Sequence, residues 1–162
     1  FNFPAAKIQQ KTSTIAEVLK AEWSGKQEYE KFVKRLSVGS WDCTIPGGYL
    51  TGFLDVLFRH EDRYYILDWK SNRRDGQRKD FHIDGLRQEM ADHAYFLQYL
   101  FYSVAVHQYL GKARKHYNYD DHFGGVYYLF LRGVDGRGGG VYADRPPLAL
   151  VEELSRILGD FG

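Results

Sequence analysis

The pattern of hydrophobic and polar positions is most typical of strands in residues 48–72, in the first half of the chain. Aromatic and β-branched side chains dominate this segment on both sides of a polar break at residues 60–63. The pattern predicts two antiparallel strands joined by a two-residue hairpin loop at Glu61 and Asp62. Since both strands are apolar on both faces, we expect them to be central strands that are covered on both sides.

This hairpin register predicts a cluster of charged side chains on one face of the sheet. A two-residue loop sets Asp55 directly opposite Asp68, and the strand alternation turns Lys70 to the same face and Trp69 to the other. Two buried carboxylates at this separation share a proton or bind a cation that neutralises both. The alternative is that one aspartate only pairs with Lys70 while the other caps a strand end.

Other segments show helical or strand periodicity and complete a mixed α/β pattern. Helices are predicted at residues 12–23, 27–36, 84–110 with a break near His93, and 148–158. Strands are predicted at residues 1–6, 125–131 and 141–143, and a polar loop at residues 116–122.

Composition favours one packed domain over residues 1–162, with 44% hydrophobic and 17% aromatic residues. The net charge of +1 gives no global sign of nucleic-acid binding, so a basic contact surface has to be local. Arg73 and Arg74 follow Lys70 in such a basic segment, where they can contact phosphates or remain solvated. The single Cys43 suits a reducing cytosol, and no membrane span or signal peptide is predicted. Because the chain begins at Phe1, we expect it to be a piece of a longer polypeptide or a trimmed product.

Four ordered motifs resemble the RecB-like nuclease domains at the C-terminus of exodeoxyribonuclease V beta subunits. They are G-F-L-D-V-L-F-R (52–59), R-Y-Y-I-L-D-W-K-S-N (63–72), H-A-Y-F-L-Q-Y-L-F-Y (93–102) and D-H-F-G-G-V-Y-Y-L-F-L-R-G-V-D (121–135). These domains belong to the restriction-endonuclease-like PD-(D/E)xK superfamily. The resemblance implies an α/β fold with a mixed central sheet flanked by helices on both sides.

The resemblance also implies a Mg²⁺-dependent DNA nuclease within a bacterial, cytoplasmic helicase–nuclease that repairs double-strand breaks. DNA and the other subunits of that complex would be its partners. Gln98 and Tyr102, four residues apart, match a Q-x-x-x-Y element that orients the DNA strand or the metal-site residues. Family members place a helix with a metal-ligating His or Glu before the first strand. The sequence starts at that strand, so we expect this core helix to be missing and these residues alone to bind metal weakly and cleave feebly.

Phosphodiester hydrolysis explains the chemistry of the cluster. Hard oxygen ligands select Mg²⁺, which Mn²⁺ can replace, and Asp55, Asp68 and the Trp69 carbonyl are the predicted ligands. Lys70 is predicted to orient the attacking water or to stabilise developing charge. Two alternatives stay open, namely a catalytically silent DNA- or subunit-binding module that retains the fold, and a sibling nuclease with another biology.

Overall fold

Four strands form a mixed sheet flanked by helices in the computed structural model, which describes residues 2–4, 12–26, 29–30, 32–34, 49–71 and 81–159. The strands are β1 Asn2–Pro4, β2 Tyr49–Thr51, β3 Val56–His60, β4 Arg63–Lys70, β5 Phe123–Phe130 and β6 Val141–Asp144. The sheet has the order β3-β4-β5-β6, and a separate two-stranded sheet pairs β1 with β2. The helices are α1 Thr12–Trp23, α2 Ile83–Asp92, α3 Tyr95–Ala113, α4 Tyr119–His122 and α5 Leu148–Leu158.

The hairpin between β3 and β4 has the predicted register. His60 pairs with Arg63, and the antiparallel ladder continues to Val56 and Leu67. Glu61 and Asp62 form the two-residue loop with φ angles of 46° and 67°, as a left-handed hairpin turn requires. The guanidinium of Arg114 donates to both oxygens of Asp62, at 3.0 and 2.7 Å, and lowers the pKa of this carboxyl to about 2. This ion pair ties the hairpin tip to the end of α3.

The expectation that both hairpin strands are central is wrong for β3. Within the described part of the chain, β4 lies between β3 and β5, while β3 forms an edge of the four-stranded sheet. Leu57 on β3 is accordingly 36% exposed, whereas its cross-strand partner Ile66 is fully buried. Apolar residues on both faces did not distinguish an edge strand from a central one here.

Among the described residues, the helices α2, α3 and the short α4 lie between β4 and the parallel strand β5. The predicted long helix is broken near His93, as expected: α2 ends at Asp92, and Ala94 has a left-handed φ of 56° before α3 begins. A parallel pair of strands needs such a crossover. Through it α3 lies against the sheet, and its residue Gln98 reaches the carboxyl end of β4.

The core between helices and sheet is rich in aromatic side chains. Trp23 stacks on Tyr29 with ring centroids 4.3 Å apart, and both rings meet Phe96 of α3. Tyr99 is buried beside them, and its hydroxyl donates to Asp144 Oδ2 at 2.5 Å. Tyr29 donates to the same oxygen at 3.2 Å. Asp144 therefore joins α3, residues 29–30 and β6 through one carboxylate.

We expect Tyr99→Phe to destabilise the protein by about 1.5–3 kcal/mol, the range for a hydrogen bond to a charged group. Urea unfolding should show a lower midpoint with an unchanged slope. Tyr109→Phe on the same helix is the matched control, because Tyr109 is 53% exposed and its change should stay within about 0.5 kcal/mol. Equal midpoints for the two variants would contradict a stabilising role for the Tyr99–Asp144 bond.

Several smaller predictions have definite outcomes. The described residues of the predicted segment 27–36 are helical at 29–30 and 32–34, and the strands near 1–6, 125–131 and 141–143 are present. The prediction of a loop at 116–122 is wrong for residues 119–122, which form α4. Asn118 caps this helix, since its Oδ1 accepts from the backbone N–H groups of Asp120 and Asp121.

No helix among the described residues has the length and apolar character needed to cross a membrane.

Candidate active site

The end of β4 presents Asp68 and Lys70 on one face of the sheet. Asp68 is only 3% exposed, and the Lys70 side chain is 11% exposed. Trp69, between them in sequence, is 46% exposed and belongs to the other face. The parallel ladder with β5 holds both positions, because Asp68 pairs with Tyr128 and Lys70 pairs with Phe130.

Asp55 lies one residue before β3, next to the last ladder pair of Val56 and Leu67. Continuing this register by one step sets Asp55 against Asp68. Asp55 is exposed, and its Oδ2 accepts a hydrogen bond from the backbone N–H of Trp69 at 3.0 Å. The carboxylate of Asp55 is thus fixed against the backbone of β4 between Asp68 and Lys70.

The electrostatics of Asp68 follow from its burial. Burial is the largest cause of a raised pKa for its carboxyl; the Lys70 ammonium opposes the rise, and the negative charge of Asp55 adds to it. Asp55 and Asp68 are neighbours in the continued hairpin register, so their negative charges repel each other. Together they concentrate negative charge beside a single ammonium.

Lys70 is enclosed by groups that suit a cation. Its ammonium forms an ion pair with Asp68 Oδ1 and donates to Gln98 Oε1 at 3.0 Å. It also lies 4.0 Å from the ring centroid of Tyr95 and 5.0 Å from that of Tyr128. The two aromatic faces stabilise the charge and leave the ammonium little room to move.

Gln98 and Tyr102 connect this ammonium to the segment that carries Asp55. Gln98 Oε1 also accepts from the Tyr128 hydroxyl at 3.0 Å, and Gln98 Nε2 donates to the Tyr102 hydroxyl at 2.9 Å. Tyr102 in turn donates to the backbone carbonyl of Phe53 at 2.8 Å. Burial raises the pKa of both tyrosines, as does the charge of Asp68, so their hydroxyls remain donors at neutral pH.

The structure accounts for the other predicted site residues to different degrees. Trp69 contributes its N–H to Asp55 as described. Arg73 and Arg74 lie outside the described residues. His93, in the same motif as Gln98, contacts the buried Glu89 at 3.0 Å and stacks on Tyr95 with centroids 5.3 Å apart. His93 therefore borders the aromatic enclosure of Lys70.

Sequence reasoning missed Tyr95, Tyr128 and the Phe53 carbonyl. Tyr128 is the cross-strand neighbour of Asp68 in the parallel β4–β5 ladder, a register that no local pattern reveals. Tyr95 lies three residues before Gln98 on α3, so helical spacing offered a signal once Gln98 was linked to Lys70.

The donor set fits a divalent cation with oxygen ligands. Asp68 Oδ1 is buried and accepts no well-formed hydrogen bond from the described residues, although the Lys70 ammonium lies against it. Such an oxygen beside a second carboxylate is a site where a hard cation relieves both desolvation and repulsion. In the part of the chain that the structure describes, no three His, Cys, Asp or Glu side chains gather into a metal site.

Comparisons with known sequences identify proteins that are similar to this chain. The sequence model of the PD-(D/E)XK nuclease superfamily matches residues 3–157. The RecBCD enzyme subunit RecB of Escherichia coli is 45% identical over 112 residues, covering 68% of this chain and 10% of that protein. The Haemophilus influenzae subunit is 42% identical over 111 residues, covering 68% of this chain and 9% of that protein. The Mycolicibacterium smegmatis subunit is 33% identical over 159 residues, covering 90% of this chain and 15% of that protein. The chain thus spans a small part of the length of the curated relatives it matches.

Proposed function

The chain belongs to the PD-(D/E)XK nuclease superfamily, and from this premise we propose that it hydrolyses DNA phosphodiester bonds with a bound Mg²⁺ ion, which Mn²⁺ can replace. The observation that carries the proposal is the assembly of Asp55, Asp68 and Lys70. One carboxylate is exposed and fixed, the second is buried against the Lys70 ammonium, and this ammonium is enclosed beside them.

Asp55 and Asp68 would hold the cation, and the Trp69 carbonyl is the proposed third protein ligand. A bound cation of this kind lowers the pKa of a coordinated water and polarises the phosphoryl group. Mg²⁺ retains several waters and needs only one or two carboxylates, which matches a site with two aspartates.

Lys70 would orient the attacking water or stabilise the charge that develops on the phosphoryl oxygens. Its enclosure by Asp68, Gln98, Tyr95 and Tyr128 supports this role, because a catalytic charge is most effective when it is preorganised. Gln98 and Tyr102 act here as positioning residues that set the distance between Lys70 and the Asp55 segment. The alternative is that these two residues contact the DNA strand. Phosphate contacts by Arg73 and Arg74 are part of the same proposal.

We further propose that these residues act in a bacterial, cytoplasmic helicase–nuclease that processes double-strand breaks, with DNA and the other subunits as partners. The similarity to RecB subunits of the RecBCD enzyme in several bacteria supports this assignment. The competing function is a silent module that binds DNA or another subunit. The preserved Asp55, Asp68 and Lys70 favour catalysis, since binding alone does not need a buried carboxylate beside an enclosed ammonium.

Removal of divalent cations is expected to stop the reaction. The full-length polypeptide should cleave linear DNA at millimolar Mg²⁺, lose cleavage in excess EDTA, and regain it when Mg²⁺ or Mn²⁺ is added back. Gel analysis of end-labelled DNA measures cleavage, and fluorescence anisotropy measures binding on the same samples. Cleavage that persists in EDTA would contradict the metal mechanism, whereas binding without cleavage at any Mg²⁺ or Mn²⁺ concentration would favour the silent module.

A further inference from the structure

Phe53 is a large apolar side chain that is exposed to solvent. It is 81% exposed, more than any other large hydrophobic residue in the part of the chain that the structure describes. Its neighbour Leu54 packs against the core, so the segment could bury an apolar side chain there yet leaves Phe53 in solvent. Single exposed hydrophobic residues are common on protein surfaces, so the exposure of Phe53 is informative only together with its location.

The location of Phe53 is tied to the proposed active site. Phe53 lies two residues before Asp55, and its carbonyl accepts the Tyr102 hydroxyl at 2.8 Å. Tyr102 is bonded to Gln98, and Gln98 to the ammonium of Lys70. The network that encloses Lys70 therefore also holds the backbone from which the Phe53 ring projects.

We propose that Phe53 stacks on the nucleobase of a nucleotide next to the phosphodiester that is cut. This inference rests on the proposed function, because it takes the scissile phosphate to lie at Asp55 and Asp68. A nucleotide presents a flat aromatic base within a few bonds of its phosphate, and an exposed phenyl ring two residues from a ligating carboxylate matches that arrangement. Aromatic side chains of DNA-binding proteins commonly act as such stacking platforms.

A protein partner is a poorer fit for the same ring. The centres of protein interfaces are depleted of charged residues, whereas Phe53 is followed closely by the exposed carboxylate of Asp55. A partner that covered Phe53 would also have to desolvate this charge. A nucleotide can stack on Phe53 while Asp55 faces its phosphate through a cation.

Stacking should contribute to substrate binding and not to the chemical step. Loss of one base–aromatic contact is expected to weaken binding by about 5- to 150-fold. Because the contact is present in both the ground state and the transition state, the loss should appear in KM with little change in kcat. Stacking tolerates any base, so the effect should not depend on sequence.

The test uses the full-length polypeptide with single-stranded oligonucleotides, either intact or abasic at single positions around the cut. Phe53→Ala should raise KM by about 5- to 150-fold on the intact strand, and Phe53→Tyr should restore it. Tyr109→Ala is the matched control, because Tyr109 is an exposed aromatic residue near the C-terminal end of α3, away from Gln98 and Tyr102. An abasic nucleotide at the stacked position should weaken binding by the wild type but cause no further loss in Phe53→Ala, since both changes remove one contact.

Binding of 2-aminopurine oligonucleotides gives a readout that does not depend on cleavage. The wild type should quench the fluorophore at the stacked position, and Phe53→Ala should not.

Two results, each with an active wild type, would overturn the stacking inference and leave the nuclease function intact. One is an unchanged KM in Phe53→Ala. The other is that the losses caused by the variant and by the abasic nucleotide are additive. If Phe53→Ala lowers the unfolding midpoint but leaves KM unchanged, the ring packs against another part of the polypeptide and does not stack on DNA. Quenching without any metal-dependent cleavage would keep the DNA contact and refute the nuclease function.

Discussion

Asp68→Asn is expected to abolish Mg²⁺-dependent cleavage, with a loss of at least about 10³-fold, because the charge stabilisation supplied by a bound cation is worth several kcal/mol. Asparagine keeps the shape of the side chain but removes the negative charge that a cation needs. Asp68 is the buried member of the carboxylate pair, and its Oδ1 has no well-formed hydrogen bond within the described residues. Single-turnover cleavage of linear DNA at millimolar Mg²⁺ measures the effect.

DNA binding by Asp68→Asn should remain close to that of the wild type, since phosphate contacts elsewhere dominate affinity. Asp121→Asn is a suitable control, because Asp121 is exposed on α4 and away from the site. The folded state of Asp68→Asn should be retained, because the amide can still lie beside Lys70 and repulsion from Asp55 is removed. Normal cleavage by this variant would show that Asp68 is not a metal ligand.

The carboxylate pair could be predicted from the sequence because one local feature determines it. A two-residue loop at Glu61 and Asp62 sets the register of the whole hairpin, and the strand alternation then assigns Asp68 and Lys70 to one face. The structure adds that Asp55 lies just beyond the ladder and accepts a hydrogen bond from the Trp69 backbone. The loop length predicts which residues of the two strands lie opposite each other, but it does not predict at which residue β3 begins.

The enclosure of Lys70 could not be predicted in the same way. Tyr128 reaches the ammonium because β5 is parallel to β4 and Asp68 pairs with Tyr128 in that ladder. A parallel register depends on how the crossover helices pack, and the residues between the two strands do not encode it locally. The resemblance identified Gln98 and Tyr102, but it left open whether they orient the DNA strand or the residues of the metal site.

The edge position of β3 has the same origin. Which strand of an apolar hairpin lies inside the sheet depends on where β5 docks, more than fifty residues after the end of the hairpin. Asp55 and Phe53, which precede this edge strand, are exposed to solvent, whereas Asp68 on β4 is buried. Accessibility of one carboxylate and burial of the other is an arrangement that suits a substrate approaching from the β3 side.

Lys70→Met is expected to lower the cleavage rate by about 10²–10⁴-fold, the range for loss of an acid–base group or a charge-stabilising donor. Methionine preserves most of the apolar stem between Tyr95 and Tyr128, so the variant removes the charge with little change in packing. The loss should appear in kcat at saturating Mg²⁺, and Lys70→Arg should recover only part of it because a guanidinium is larger than the enclosed ammonium. A kcat within about twofold of the wild type would exclude a role for Lys70 in the chemical step.

Gln98→Leu is the second variant to compare with Lys70→Met. It distinguishes the two roles implied for the Q-x-x-x-Y element, which are to orient the residues of the metal site or to orient the DNA strand. If Gln98 positions Lys70, losing the 3.0 Å hydrogen bond should lower kcat by about 10- to 100-fold and leave KM and the salt dependence of binding unchanged. If Gln98 contacts the DNA strand, the same variant should raise KM with kcat preserved. We expect the first result, because Gln98 Oε1 is shared by Lys70 and Tyr128 while Nε2 is bonded to Tyr102. Combining Gln98→Leu with Lys70→Met should then cost little beyond Lys70→Met alone, since a positioning residue acts only through the group that it holds.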